Sequence, residues 1–104
     1  MAYDSSGVRF EWDEAKNVAN QRKHGVSFEE ACELFGEGNE YLEVFDQEHS
    51  DDEDRFVCIG PIERGIVLVV KTEPAEDSIR IVSARFATKR ESSMYTDFLR
   101  GLDE

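Results

Sequence analysis

The sequence has few cysteines, no long apolar run and a shortage of basic residues. Cys32 and Cys58 are too few for a disulfide framework and wrongly spaced for a zinc motif, so both are expected to be buried, reduced thiols. The longest apolar run, residues 66–70, is far shorter than the roughly 20 residues of a membrane helix. Twelve bases stand against 24 acids, a net charge of −12. That balance excludes a protein that coats nucleic acid through bulk positive charge.

The length and the start of the chain set further bounds. With 104 residues, of which 39% are apolar, the chain can build a single compact domain. Residues 1–7 have neither the basic flank nor the apolar segment of a secretory signal, so a cytoplasmic location and no membrane contact are expected. These seven residues are predicted to be a flexible extension of the domain.

The charges are unevenly distributed along the sequence. Residues 37–54, called here the acidic segment, hold nine acids and no base. Residues 79–95 hold four bases, which are Arg80, Arg85, Lys89 and Arg90, against the single acid Glu91. Exposed charges more than about 8 Å apart are largely screened at physiological salt, so a local anion-binding face is compatible with an acidic protein.

Hydrophobic periodicity and capping residues predict an α+β domain with the order β-α-α-β-β-β-β-α. Short turns join the last four strands, which favours a mainly antiparallel sheet with three helices packed on it. Helices are predicted at residues 14–24 behind Asp13, at 28–35 behind Ser27, and from Thr88 onward. Strands are predicted at residues 9–12, 41–45, 55–59, 66–71 and 79–86, with the turn of a hairpin at 61–65.

Three separated motifs lie along the sequence. They are FEWD at residues 10–13, KHGVSFEEA at 23–31 and IRIVSAR at 79–85, followed by Ala87, Thr88, Glu91 and Tyr95. Together they resemble the BrnT family, the toxins of bacterial type II toxin–antitoxin pairs. The resemblance spans residues 8–95. It departs from the usual balance of the family in the density of acids between residues 37 and 54.

The resemblance implies a RelE-like fold and a ribonuclease without a cofactor or metal. It also implies that a ribbon-helix-helix antitoxin of the BrnA type neutralises the protein, and that DNA is contacted only through that antitoxin. Metal-free RNA cleavage needs a base for the 2′-hydroxyl, cations for the phosphate oxygens and an acid for the 5′-oxygen. The predicted catalytic residues are His24, Arg85, Glu91 and Tyr95. The predicted RNA-binding residues are Lys23, Arg55, Arg80, Lys89 and Arg90.

Each of these residues also has a purely structural interpretation. His24 and Lys23 suit the C-terminus of a helix, and Glu91 completes a capping box with Thr88. The Tyr95 ring can be buried, and the arginines can pair with neighbouring acids. His49 lies in an acidic loop without the glycine or ligand spacing of a calcium loop, so no metal site is predicted there.

Alternation along the last strand bears on how its arginines can act. In an undistorted strand Arg80 and Arg85 point to opposite faces, and Arg85 shares the face of Ile79 and Ile81 together with Ser83. The two arginines then cannot contact one phosphate unless the strand bends. An alternative function, a catalytically inactive module whose acidic segment docks a basic partner, also remains open.

Overall fold

A computed structural model of the protein describes residues 2–5, 7–49 and 52–102, and the side chains of residues 7–49 and 52–102. One six-stranded sheet has the order β1-β2-β6-β5-β4-β3. The strands are β1 Ala2–Ser5, β2 Val8–Glu11, β3 Leu42–Phe45, β4 Arg55–Ile62, β5 Gly65–Thr72 and β6 Ser78–Phe86. The helices are α1 Glu14–His24, α2 Phe28–Ala31 and α3 Lys89–Leu102. The predicted α+β class, with three helices and a mainly antiparallel sheet, is confirmed.

The helix boundaries follow the capping residues. The Asp13 side chain accepts a hydrogen bond from the Lys16 amide, and Gly25 ends α1 in the left-handed conformation at φ 73°. Ser27 opens α2 with a capping box. The predicted helix over residues 28–35 is corrected in its second half, because Cys32–Phe35 forms a 3-10 helix that ends with a Gly36 to Glu33 hydrogen bond.

The N-terminal part of the sheet differs from the sequence prediction. The backbone of Ala2–Ser5 pairs antiparallel with β2, which adds a strand that the sequence analysis did not predict. β2 runs parallel to β6, and the remaining neighbouring pairs are antiparallel. The sequence at 2–5 gave no signal because it lacks the alternation of a half-buried strand.

The β4–β5 hairpin is tighter than predicted. β4 continues through Pro61 to Ile62, and Glu63 and Arg64 form the turn before Gly65. β3 pairs with β4 only as far as Ile59, so the missing N–H of Pro61 falls where β4 has no strand partner on that side.

The sheet has two distinct faces. The back face lies under α1, α2 and the 3-10 helix, and carries the larger apolar core. The front face carries Ile59 and Leu68, on which α3 packs with Tyr95, Phe98 and Leu99. Both cysteines are buried free thiols, as predicted, and burial raises the pKa of each to about 12.

A β-bulge in β6 decides which side chains reach the front face. Val70 lies opposite Ser83, but the next residue, Lys71, lies opposite Ile81, so Val82 is an extra residue. Ile81 and Ala84 therefore both pack into the back core. Arg80, Ser83 and Arg85 are consequently on the front face, so β6 is not the undistorted strand for which opposite faces were predicted for Arg80 and Arg85.

The back face also holds a buried cation. The Lys71 ammonium lies over the rings of Phe35 and Phe56, at 5.6 and 5.1 Å from their centroids. It pairs with Glu43 at 2.8 Å and also with Glu73. Burial alone would lower the pKa of Lys71, but the two carboxylates outweigh burial and raise it. Lys71 thus stays charged inside the core.

Asn20 joins α1 to the edge of β6. Its Nδ2 donates to the carbonyls of Val26 at 2.9 Å and Ala84 at 2.7 Å, and its Oδ1 accepts from the Ala84 amide at 3.2 Å. β2 pairs with β6 only up to Arg80, so this side chain takes over the role of a neighbouring strand at Ala84.

Replacing Asn20 by Ala is expected to lower the free energy of unfolding by about 2–4 kcal/mol, because buried backbone groups lose their partners. Urea denaturation measures the change. The exposed neighbour Gln21, changed to Ala, is the control and should shift stability by less than about 0.5 kcal/mol. Equal stability of the two variants would contradict the role of Asn20.

Candidate functional site

Three arginines occupy the part of the front face that α3 leaves uncovered. The strand registers align Arg55, Thr72, Arg80 and Glu11 in one row across β4, β5, β6 and β2. A second row ends at Arg85, beside Leu68, and Ser83 lies between the two rows. We call Arg55, Thr72, Arg80, Ser83 and Arg85 the arginine face. The structure thus brings together three residues that the sequence predicted separately.

Arg85 is held in place by Glu91. Its Nη1 and Nη2 donate to the two Glu91 carboxylate oxygens at 2.8 and 2.9 Å, and Nη1 also donates to the Phe86 carbonyl at 3.3 Å. Bidentate pairs of this kind fix orientation as well as adding energy. The other edge of the guanidinium, formed by Nε and Nη2, has no hydrogen-bond partner among the described residues. Arg85 therefore presents a fixed donor edge.

Glu91 has two structural tasks at once. Its Oε1 accepts from the Thr88 amide at 2.9 Å, while the Glu91 amide donates to Thr88 Oγ1 at 3.2 Å, which is the predicted capping box. The hydrogen bonds from Arg85 hold the pKa of the Glu91 carboxyl at about 2, against an ordinary 4.5, although burial acts in the opposite direction. A carboxylate with so low a pKa binds a proton poorly at neutral pH.

Arg80 is engaged by two carboxylates. It contacts Glu11 on the neighbouring strand through Nη2 at 2.8 Å and Nε at 3.1 Å. Its Nη1 lies 3.4 Å from Glu53, which follows the acidic segment's 3-10 turn Gln47–His49. The Arg80 side chain is 45% exposed, so both pairs are open to solvent.

Arg55 borders the acidic segment. It lines a cavity of about 340 Å³ together with four residues of that segment, which are Glu48, His49, Asp52 and Glu53. His49 pairs with Asp46 at 2.9 Å. Among the described residues no group of three or more side chains is placed to hold a metal ion.

His24 and Lys23 lie beside the open edge of β6. With Lys16, Asn20 and Ser83 among other residues they line a groove of about 260 Å³ between α1 and the strand. Ser83 belongs to the arginine face, so this groove and the arginine face share a residue. His24 is half-buried and Lys23 is exposed.

Tyr95, Lys89 and Arg90 are placed differently from one another. The Tyr95 ring is buried, and its hydroxyl donates to the Glu40 carbonyl at 2.9 Å, which ties α3 to the chain just before β3. Burial raises the pKa of the Tyr95 hydroxyl. Lys89 and Arg90 are exposed in the first turn of α3. Because its ring is buried and its hydroxyl is bound to Glu40, Tyr95 is not part of the arginine face.

The comparisons with known proteins identify the family. The family model that matches is described as the ribonuclease toxin BrnT of a type II toxin–antitoxin system, and it covers residues 12–91. The chain belongs to the BrnT family. The ribonuclease prediction is therefore confirmed at the level of the family, as is the assignment to type II toxin–antitoxin systems.

A solved structure supports the same fold. The crystal structure of the ribonuclease toxin BrnT of Brucella abortus matches with a TM-score of 0.59 and 20% sequence identity, over 77% of this chain and 96% of that chain. A comparison with curated protein sequences finds no match. Among the described residues of this BrnT-family chain, no helix is long and apolar enough to cross a membrane.

Sequence reasoning missed Thr72, Glu11 and Glu53. Thr72 ends an apolar strand, and nothing in the sequence shows that it lies between two arginines. The Glu11–Arg80 pair depends on the parallel pairing of β2 with β6, which brings together two residues that are 69 positions apart in the sequence. The one available signal was the polar parity of Arg9 and Glu11 along β2.

The low pKa of Glu91 predicts a pH-dependent contribution to stability. Because the folded pKa is about 2 and the unfolded value about 4.5, the contribution is fully present above pH 4.5 and is lost as pH falls toward 2. Wild type should exceed Glu91→Gln by about 1–2 kcal/mol at pH 7, and the difference should vanish near pH 2.

Unfolding experiments at several pH values measure this difference. Asp97→Asn on the exposed side of the same helix is the control, since Asp97 is 75% exposed and pairs only loosely with Arg100 at 3.6 Å. A wild-type advantage over Glu91→Gln that stays constant from pH 7 to pH 2 would show that Glu91 does not act through its ionised form.

Proposed function

We propose that the arginine face binds RNA and that the surroundings of Arg85 cleave it by metal-free acid–base chemistry. The observation that carries this proposal is the fixed guanidinium of Arg85, which stands on an open sheet face next to Ser83 and the groove of His24. In such cleavage the 2′-hydroxyl gives up its proton and its oxygen bonds to phosphorus, while the bond from phosphorus to the 5′-oxygen breaks and that oxygen takes up a proton from solvent water. Negative charge builds up on the non-bridging oxygens in between.

Arg85 stabilises that charge. Glu91 occupies the Nη1–Nη2 edge and leaves Nε–H and one Nη2–H to point at two phosphate oxygens. A guanidinium that is already oriented loses little freedom when the charge develops. Glu91 is thus a positioning residue, and its low pKa argues against a role as general acid or base.

His24 is the general base for the 2′-hydroxyl. It shares a groove with Ser83, which lies on β6 between the bulge and Arg85, and an imidazole can accept a proton near neutral pH. The RNA phosphates are bound by five further bases. They are Lys23 in the same groove, Lys89 and Arg90 at the start of α3, and Arg55 and Arg80. Tyr95 positions α3 through Glu40.

The partner of the toxin is a ribbon-helix-helix antitoxin of the BrnA type, in the cytoplasm. The acidic segment, with nine acids and no base, suits a basic surface of that antitoxin. DNA is contacted through the antitoxin, because the net charge of −12 opposes direct binding of the toxin. The acidic-module alternative shares this docking surface but lacks cleavage.

Arg85→Ala is expected to lower the rate constant of cleavage by about 10²–10³-fold, since one preorganised donor of charge stabilisation is lost. Arg85→Lys should restore little, because an ammonium lacks the planar fork. The measurements are growth arrest after induced expression and cleavage of RNA by the purified protein. The control is Arg100→Ala at the exposed end of α3, and circular dichroism tests whether each variant folds.

If folded Arg85→Ala cleaved RNA at the wild-type rate, Arg85 would have no role in cleavage. A folded wild type that neither arrests growth nor cleaves RNA would overturn the mechanism for this chain. The acidic-module alternative would then be favoured.

His24→Gln is expected to lower the rate constant by about 10²–10⁴-fold while binding of a 2′-O-methyl RNA, which lacks the attacking hydroxyl, stays within about twofold of wild type. His49→Gln removes the other histidine, which lies in the acidic segment beside Asp46, and is the matched control. Equal rates for His24→Gln and His49→Gln would exclude His24 as the base.

A further inference from the structure

We propose that Arg55, Thr72 and Arg80 form a second phosphate subsite, which the Glu53 carboxylate occupies in the absence of RNA. The inference rests on the proposed function and adds a site for a phosphate other than the one that is cleaved. It assigns a binding role to Thr72 and a competing role to Glu53.

The first observation is an unpartnered hydroxyl. Thr72 is 1% exposed, and its Oγ1 is the buried side-chain oxygen or nitrogen without a hydrogen-bond partner among the described residues. Leaving such a group unpaired destabilises a fold, and valine would fill the same volume without that penalty. Packing therefore does not explain why a threonine stands here. A phosphate oxygen is an acceptor that a hydroxyl donor can satisfy.

The second observation is the register. Thr72 lies opposite Arg55 on one side and Arg80 on the other, and neighbouring strands are about 4.8 Å apart. One hydroxyl-bearing residue thus lies between two arginine residues in the same row and on the same face. The row lies four residues along β5 from the Leu68–Arg85 row, a distance of about 13 Å. Arg80 and Arg85 therefore contact different phosphates of one RNA strand.

The two carboxylates on Arg80 are not equivalent. Glu11 belongs to the adjacent strand and makes two contacts, at 2.8 and 3.1 Å. Glu53 makes one contact at 3.4 Å, and its side chain is 42% exposed. A phosphate carries the same sign of charge and more acceptor oxygens than Glu53, so it displaces Glu53 while Glu11 continues to orient Arg80.

The acidic segment supplies the competing carboxylates at this row. Glu53 contacts Arg80, a member of the row, and Asp52 and Glu48 line the cavity at Arg55. Displacement of Glu53 by the phosphate leaves the Arg80 Nη1 to donate to that phosphate, while Glu11 keeps its contacts, and gives the buried Thr72 hydroxyl an acceptor. The acidic segment thereby lowers the affinity for RNA and acts as a competitor built into the chain.

Three variants of the full-length protein test the subsite with an uncleavable 2′-O-methyl decaribonucleotide, whose dissociation constant is measured by fluorescence anisotropy. Thr72→Val should weaken binding about tenfold, whereas Thr72→Ser, which keeps the hydroxyl, should stay near wild type. Thr72→Val should melt at or above the wild-type temperature. Glu53→Gln should tighten binding about threefold.

The control for Glu53→Gln is Asp97→Asn, which makes the same change in net charge at a remote, 75% exposed position. Thr72→Val binding as tightly as Thr72→Ser, or Glu53→Gln matching Asp97→Asn, would overturn the subsite. Cleavage that still depends on Arg85 in that case would leave the proposed function intact. Absence of both binding and cleavage in folded wild type would overturn the proposed function itself.

Discussion

The extra residue in β6 is the constraint on which both faces of the sheet depend. Ile81 lies in the back core on one side of Val82, and Ala84 lies in the same core on the other side. A regular strand could not place both there, because side chains alternate between faces with a period of two. The same extra residue keeps Arg85 out of the apolar back core and places it on the face of Arg80. The bulge at Val82 thus determines both the packing of the back core and the placement of Arg80 and Arg85 on the front face.

The carboxylates around the arginine face differ in how firmly they hold their partners. Glu91 is bidentate to Arg85 and is itself fixed at the start of α3, so this pair resists displacement. Glu53 reaches Arg80 by a single, longer contact from the acidic segment. Exposed single contacts contribute little and are weakened by salt. The Glu91–Arg85 pair is therefore suited to holding a guanidinium in one orientation during the reaction. The Glu53–Arg80 pair is suited to being displaced by a ligand.

Much of the fold could be predicted from capping residues and hydrophobic periodicity, because these features lie within a few residues of the helix or strand that they determine. Asp13 and Gly25 bound α1 at the residues predicted, and Thr88 with Glu91 places the start of α3. The bulge could not be predicted in this way, since Val82 is as compatible with a regular strand as its neighbours are. Lys71 was predicted to end a strand, but its burial as a cation depends on Glu43 of β3 as well as on the nearby Glu73. The position of Glu43 is set by the pairing of strands that are distant in sequence, which local signals do not show.

The same reasoning explains how an acidic chain can belong to a family of ribonuclease toxins. The acidic segment accounts for nine of the 24 acids, and three of these, Glu48, Asp52 and Glu53, line the cavity at Arg55, at the end of the front face away from the row of Arg85. Between these ends the strand spacing gives about 13 Å, which exceeds the screening length of about 8 Å at physiological salt. The potential at Arg85 is therefore set mainly by its own surroundings, namely Glu91 and the bases at the start of α3. Net charge describes the molecule, whereas the charge within one screening length describes the site.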